Sequence, residues 1–281
     1  MKSKNSLLQN KKRWLPSPKV GYYLILLVTA AIMIFPFYWM VVTSFKTGVE
    51  LSVYPPRLLP QKFYLGNYQT VLSSGTFPIY FRNSVICAVA ETLLMLVVTV
   101  FSAYGFYRLS GKKGGWMTVL LWMTNIVPFE IVMVFQYRMM ISWGLNDTLT
   151  GLILPFLFNF TYVYIFYQAF RSIPNSLCYA AYTDKTTSLK FLFRIALPYI
   201  KPTVVFVCML NVINCWNSFL WPLMMTNSVA SRTLPLGLYA YIPEDGSRTE
   251  LLMAMSVLMQ LPPVVMFLVL QKHLLRGFRQ K

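Results

Sequence analysis

Charge is scarce in this sequence, and negative charge scarcer still. Of 281 residues 12% are charged, with 8 Asp and Glu against 25 Lys and Arg. A soluble domain carries about 25% charged residues. That shortfall, beside a 57% share of hydrophobic residues, excludes an ordinary water-soluble globule and points to a polytopic membrane protein with little mass outside the bilayer. Histidine is reduced to His273, which excludes a multi-histidine metal centre. The four cysteines, Cys87, Cys178, Cys208 and Cys215, lack CxxC spacing and mostly lie in apolar runs; they read as small packing residues rather than disulfides or metal ligands. There is no GxxxxGK[ST] loop to cradle nucleotide phosphates, and no HExxH, GxSxG or clustered His/Asp set for hydrolytic chemistry. Tandem repeats and low-complexity tracts are missing too. The formal charge of +17 is not gathered into one stripe or arm, as nucleic-acid binding would require, but borders the apolar runs.

What is present is six apolar runs long enough to cross a bilayer, at approximately 21–44, 84–107, 116–137, 149–170, 203–225 and 251–271. Residues 1–20 form a basic tail before them and 272–281 another after them. The first run has no small-residue cleavage site and reads as a retained span. Pro36, Pro128, Pro155, Pro222 and the pair Pro262-Pro263 fall inside the runs, where breaks are tolerated if the freed backbone faces protein or a wet cavity. Six basic residues lie before the first run, three (Arg108, Lys112, Lys113) after the second, five (Arg171, Lys185, Lys190, Arg194, Lys201) between the fourth and fifth, and four after the sixth. These eighteen share one side, and all acids except Asp184 fall in spans or on the other. Both termini are therefore expected in the cytoplasm. On the outer side, 45–83 is rich in Pro and aromatics and suits a compact surface element, while 226–250 has turn signals at Pro243 and Asp245-Gly246.

The cytoplasmic stretch "YAAYTDKTTSLKFLFRIALPYIKP", residues 179–202, is unusual in carrying Asp184, Lys185, Lys190, Arg194 and Lys201 between two apolar runs. Pro174-Asn175-Ser176 reads as a helix start with Asn175 or Ser176 as cap. Ala180 and Asp184, four apart, share a face of that short helix. Thr186-Thr187-Ser188 supplies a turn and a second cap, and Leu189, Leu192, Phe193 and Ala196 recur at helical spacing until Pro198 and Pro202. Such a pair either docks in a groove of a partner, its small residues permitting close approach, or ties the fourth span to the fifth.

The stretch resembles the "EAA" loop of ATP-binding-cassette importer permeases: Ala180, Ala181, Asp184, Leu197, Pro198 and Pro202 match in register, and "RSIP" leads in. Tyr179 stands where the family has an acid and Lys185 where it has glycine. Lys lacks glycine's freedom at positive φ, so the turn after Asp184 is expected to differ. "WNSFLWPLMMT", "PPRLLPQKFYLGNYQTVLSSGTFPIYFRNS", "ISWGLNDTLTGLILPF" and "QLPPVVMFLVLQKHLLRGF" are similar to further segments of the maltose-type carbohydrate permeases, in the same order. The resemblance implies an all-α, six-span type I importer permease fold in a bacterial or archaeal cytoplasmic membrane. It implies a transport subunit rather than an enzyme, working with a second homologous permease (a different chain), two ATPase subunits that hold the ATP and Mg, and an extracytoplasmic solute-binding protein that delivers a sugar. This chain would itself bind no cofactor. Tyr179, Ala180, Ala181, Asp184 and Lys185 would meet the ATPase.

For the sugar path, Asn211, Asn214 and Ser218 in the fifth run fall on one helical stripe, with Asn217 at its edge and Trp216 off it; Asn159 and Tyr162 in the fourth are three apart. Amides both donate and accept hydrogen bonds, as sugar hydroxyls require. They also serve as interhelical links in membranes, and the spacing leaves both roles open. Glu91 and Glu130 are the two acids within the runs; in a second reading they would be the ionisable groups of an ion-coupled transporter.

Overall fold

The computed structural model describes residues 18–110, 119, 123, 126–239 and 248–278. Residues 1–17, Lys112 and Lys113, most of the beginning of the third apolar run, the turns at Pro243 and Asp245-Gly246, and 279–281 lie outside the described residues. Among those described, every regular element is helical.

α1 (Pro18–Ser44) is continuous through Pro36. It is followed by α2 (Gly48–Leu51), α3 (Gly66–Leu72) and α4 (Thr76–Ser110). The 35 residues of α4 span about 52 Å, well beyond a hydrocarbon core of about 30 Å. α5 (Phe129–Ser142) starts immediately after Pro128, whose missing N–H costs a helix start nothing. The fourth run is not one helix. α6 (Leu149–Ile153) passes into a 3₁₀ turn at Leu154–Phe156 containing Pro155, and α7 (Phe160–Arg171) sets off at 48° after the break. α8 (Asn175–Thr183) and α9 (Ser188–Phe191) form the loop. A π-helical turn at Leu192–Ala196 and α10 (Leu197–Tyr199) then meet α11 (Lys201–Trp216) at 80°. α11 stops at Trp216, and α12 (Leu220–Met225) resumes after three residues, so the fifth run is broken as well. α13 (Leu234–Tyr239) and α14 (Thr249–Phe278), which accommodates Pro262 and Pro263, complete the described chain. Among the described residues, three helices are long and apolar enough to cross a membrane alone, or up to five segments if each bent pair counts as one.

α4 is the central post: α7, α11, α6 and α13 all pack on it, while α1 lies along α14 and α14 against α11. Lipid tails are as apolar as these side chains, so close packing and interhelical hydrogen bonds hold the bundle more than transfer out of water does. Near the 171–202 loop, Phe166 and Phe170 of α7 pack with Ala103 and Tyr104 of α4 and with Leu192 and Ala196. At the opposite end Tyr80, Trp216, Leu234 and Met255 form a second cluster. A third joins Cys87, Met140, Trp221 and Met225. Trp216 is off the polar stripe, as expected, and donates to the Met259 carbonyl of α14.

The segment after α1 is compact. Buried Asn67 of α3 donates to the carbonyls of Ser44 and Lys46 at 2.8 and 2.7 Å, tying α3 to the end of α1. Lys46 is buried with its ammonium over the Trp39 ring and bonded to the Arg57 carbonyl at 2.6 Å, so a cation is accommodated there by a π face and a backbone dipole.

Candidate functional site: a polar cleft and the loop beneath it

Between α4, α7 and α11 lies a cleft of about 130 Å³ whose lining includes Glu91, Asn159, Tyr162, Asn211, Asn214 and Ser218. The breaks position it. Asn159 caps α7, its side-chain oxygen accepting from the backbone N–H groups of Thr161 at 2.9 Å and Tyr162 at 3.3 Å; this satisfies donors that a helix start in apolar surroundings leaves open. One turn on, the Tyr162 hydroxyl accepts from the Asn214 amide of α11 at 2.9 Å. Deeper in, Asn211 is only 4% exposed and donates to Glu91 at 3.2 Å and Thr92 at 3.0 Å on α4. The Cys215 thiol also bonds to Glu91.

Five of the six residues expected on the path thus share one cleft. Asn217 does not: α11 ends one residue earlier, and the exposed Asn217 amide turns back to the Ile213 carbonyl at 2.9 Å. Asn211 lines the cleft but acts as an interhelical link. Glu130 sits exposed in the first turn of α5 and is not among the cleft residues, so the structure does not bring it together with Glu91 as ion coupling through the two would require.

The 171–202 loop is built as two short helices, though not with the cap expected. Pro174 precedes α8 without a side-chain hydrogen bond, and Asn175 is already helical. Thr187 does cap α9, accepting from the Lys190 N–H. α8 closes in a Schellman arrangement: the Thr186 N–H reaches the Ala181 carbonyl at 2.9 Å and the Lys185 N–H the Tyr182 carbonyl at 3.0 Å, with Lys185 at φ 52°. The glycine-type turn survives the lysine, against expectation, because these two bonds satisfy the last carbonyls. Gly144 closes α5 through the same pair of bonds, at φ 70°.

The loop's faces also differ from the sequence pattern. Ala181 is 6% exposed and packs into the α4–α7 cluster, so it is an internal contact rather than part of an outward face. Ala180, Asp184 and Lys185 are exposed, as are Tyr179 (71%) and Tyr182 (84%). In the second arm Leu192 and Ala196 are buried, whereas Leu189 and Phe193 point outward, Phe193 edge-on to Phe101; the π-helical turn shifts the phase of the apolar face.

Residues 95–280 match the family described as "Binding-protein-dependent transport system inner membrane component". The chain belongs to this family. Among relatives of the permease are the arabinooligosaccharides transport system permease proteins AraQ of Bacillus subtilis (strain 168) and of Halalkalibacterium halodurans. The first is 29% identical, covering 92% of this chain and 93% of the relative; the second is 30% identical, covering 88% and 90%. The sn-glycerol-3-phosphate transport system permease protein UgpE of Rhizobium meliloti (strain 1021) is 28% identical, covering 91% and 94%. The fold matches a chain of a bacterial ABC transporter involved in import of the acidic polysaccharide alginate, at TM-score 0.79 and 21% identity, over 90% of this chain and 95% of that one. The permease is an integral transport subunit, not an enzyme, and its family works with a binding protein.

Sequence reasoning passed over Cys215, Ser84 and Thr233, all of which line the cleft. Cys215 could have been found: it lies four residues after Asn211 and three before Ser218, on the same stripe. A polar clamp at the end of the permease away from the 171–202 loop was also missed. Asp147, at φ 56°, accepts from the backbone N–H groups of Asn227 and Ser228 at 2.9 and 3.0 Å and from the Ser231 hydroxyl. Partial burial pushes its pKa up, but these hydrogen bonds outweigh that and hold it well below the usual carboxylate range. From α4, Asn83 donates to the carbonyls of Ala230 and Arg232, and Ser84 accepts from the Leu234 N–H. The 226–234 segment is pinned from two sides.

Proposed function

We propose that the chain is a permease subunit of an ATP-driven importer that moves a saccharide across the cytoplasmic membrane, both termini facing the cytoplasm. The observation that carries this reading is the cleft: amides and hydroxyls of Asn159, Tyr162, Asn214 and Ser218 stand together at the meeting of two interrupted spans. Groups that donate and accept match sugar hydroxyls, and polar groups in a membrane bundle belong at a wet path. The names of relatives, which specify arabinooligosaccharides and starch degradation products, support a saccharide. A solved complex of the alginate transporter with its pentasaccharide-bound periplasmic protein supports delivery by an external binding protein.

In this reading a second, different permease chain closes the open side of the cleft, and two ATPase subunits hold ATP and Mg, since this sequence has no phosphate loop. Tyr179, Ala180, Tyr182, Asp184 and Lys185 form the face that enters the ATPase. Ala181 links that face to the bundle, because it packs with Phe166 and Phe170 of α7, the helix that carries Tyr162. The second arm runs directly into α11, which carries Asn214. A push on the loop therefore reaches both walls of the cleft, as a switch between two packed arrangements needs.

The test is uptake by the reconstituted complex, with saccharides chosen by thermal shift of the cognate binding protein. ATP-dependent accumulation is expected. Accumulation without the ATPase, or of no saccharide the binding protein takes, overturns the reading.

A further inference from the structure

The second arm of the 171–202 loop is pinned at two depths along α4. At its start the Ser188 carbonyl accepts from the Tyr104 hydroxyl at 3.1 Å, and the Ser188 hydroxyl from the Arg108 guanidinium at 3.4 Å. Farther along the arm, Phe193 meets Phe101 edge-on, with ring centroids 6.1 Å apart. Arg108 and Phe101 lie on the same helix, separated by about 10 Å along its axis. The arm therefore slopes from the charged end of α4 toward the interior of the bilayer.

Its outward face is mixed. Leu189 and Phe193 are 58% and 55% exposed, and Lys190 and Arg194, each one residue later, are exposed as well. From Thr186 to Lys201 the sequence holds no acid, and among the described residues neither cation has a side-chain partner. On α4, Leu94, Val97 and Phe101 are exposed at helical spacing and make an apolar stripe that leads to the arm. Tyr104, next on that stripe, is covered by Ser188 and Phe191 of the arm, so Leu189 and Phe193 carry the stripe onward. Large apolar side chains grouped in this way call for a cover other than water. Basic residues beside them at a bilayer boundary lay their stems along acyl chains and bring their charges to the headgroups.

We propose that this face binds an anionic phospholipid of the cytoplasmic leaflet, Lys190 and Arg194 holding the headgroup phosphate and Leu189 and Phe193 lying along the acyl chains. The inference rests on the cytoplasmic placement of the loop in the reading above. Cations without a neighbouring acid favour a headgroup of net negative charge over a zwitterionic one, which brings its own cation. The arm runs into α11, so a lipid held here fastens one wall of the cleft to the membrane. The exposed Tyr179 and Tyr182 of α8 are left for the ATPase.

The experiment places the photoreactive p-benzoylphenylalanine at Phe193 in the assembled transporter, held in nanodiscs of equal parts phosphatidylglycerol and phosphatidylcholine with identical acyl chains. After irradiation, peptide mass spectrometry gives the ratio of the two lipid adducts. It is divided by the ratio for the same probe at Ile32, which is exposed in the middle of α1 away from these cations. Phosphatidylglycerol should be enriched about fivefold at Phe193, the size of preference that one or two cations near a headgroup supply. Lys190→Gln with Arg194→Gln should bring the ratio to within about twofold of unity, whereas Lys190→Arg with Arg194→Lys, which keeps both charges, should preserve the enrichment. No enrichment, enrichment unchanged in the glutamine pair, its loss in the charge-keeping pair, or adducts with the ATPase or the second permease in place of lipid would each overturn the proposal. Crosslinking needs neither sugar nor ATP, so loss of the lipid preference and failure of the complex to accumulate saccharides remain separate outcomes.

Discussion

The Asn214 amide of α11 donates to the Tyr162 hydroxyl of α7 at 2.9 Å, so the two interrupted spans share a hydrogen bond at the wall of the cleft. Tyr162→Phe should lower saccharide uptake roughly fivefold, the size of one such bond of about 1 kcal/mol, while the assembled complex still purifies. Asn214→Ala should cost a similar amount, and the double variant less than the sum of the two, because both singles break one contact. Strict additivity in initial uptake rates would mean the two side chains act independently.

On the loop, the exposed tyrosines and the buried alanine should behave differently. Tyr179→Ala with Tyr182→Ala should weaken co-purification of the ATPase and leave the melting temperature of the isolated permease within about 2 °C, since both rings face outward. Ala181→Arg should instead lower that melting temperature, because it drives a long cation into the packed cluster. Equal thermal effects from the two changes would refute this division of faces.

Lys185→Gly tests the turn after α8. A non-glycine residue in the left-handed region costs roughly 1 kcal/mol, partly offset by the greater freedom glycine gives the unfolded chain. The variant should be neutral to slightly stabilising, by up to about 0.5 kcal/mol. A clear loss of stability would show that the lysine side chain supports the turn.

Asp147→Asn should loosen the clamp on residues 226–234. The carboxyl is held below its ordinary range when folded, so its contribution is fully present above the unfolded value of about 3.9. It declines as pH falls below that value toward the folded one. The wild type should therefore melt above the variant, by roughly 2–4 °C, at every pH from 5 to 7, with the gap narrowing below about pH 4. A gap that instead narrows between pH 7 and 5 would rule out the depressed carboxyl as its source.

Single cysteines at Thr186 and Ser74 test the orientation. Thr186→Cys should react only with reagent applied from the cytoplasmic side, and Ser74→Cys only from outside, as the distribution of Lys and Arg requires. Labelling of Thr186→Cys from outside would reverse the assignment of every loop.

Much of this was legible because the bilayer imposes its thickness on the sequence. α1, α4 and α14 coincide with apolar runs of the required length, and the stripe of Asn211, Asn214 and Ser218 follows from helical periodicity. Legibility failed where periodicity is interrupted. Asn217 kept its phase on paper, but α11 stops at Trp216, so its side chain caps the helix's own carbonyl. The division of the fourth run at Pro155 and Asn159 depends on a capped break, which an apolar window cannot register. In the loop, small residues at Ala180 and Ala181 both looked suited to close approach. Which of them faces inward was decided by the cluster that holds Phe166 and Phe170, which lie on the preceding helix. The positive φ of Lys185 has no signature in its residue type at all.

The double donation from Asn211 to Glu91 and Thr92 limits how this subunit can move. Sliding α11 along α4 by even one residue would strip both bonds at once and leave a buried amide and a buried carboxyl unpaired. α11 and α4 therefore travel together, and tilting as a single plank remains open to them where telescoping does not. On the proposed reading, the gap that admits or releases a solute would then open at the edge of the cleft that the second permease chain closes, and not between α4 and α11.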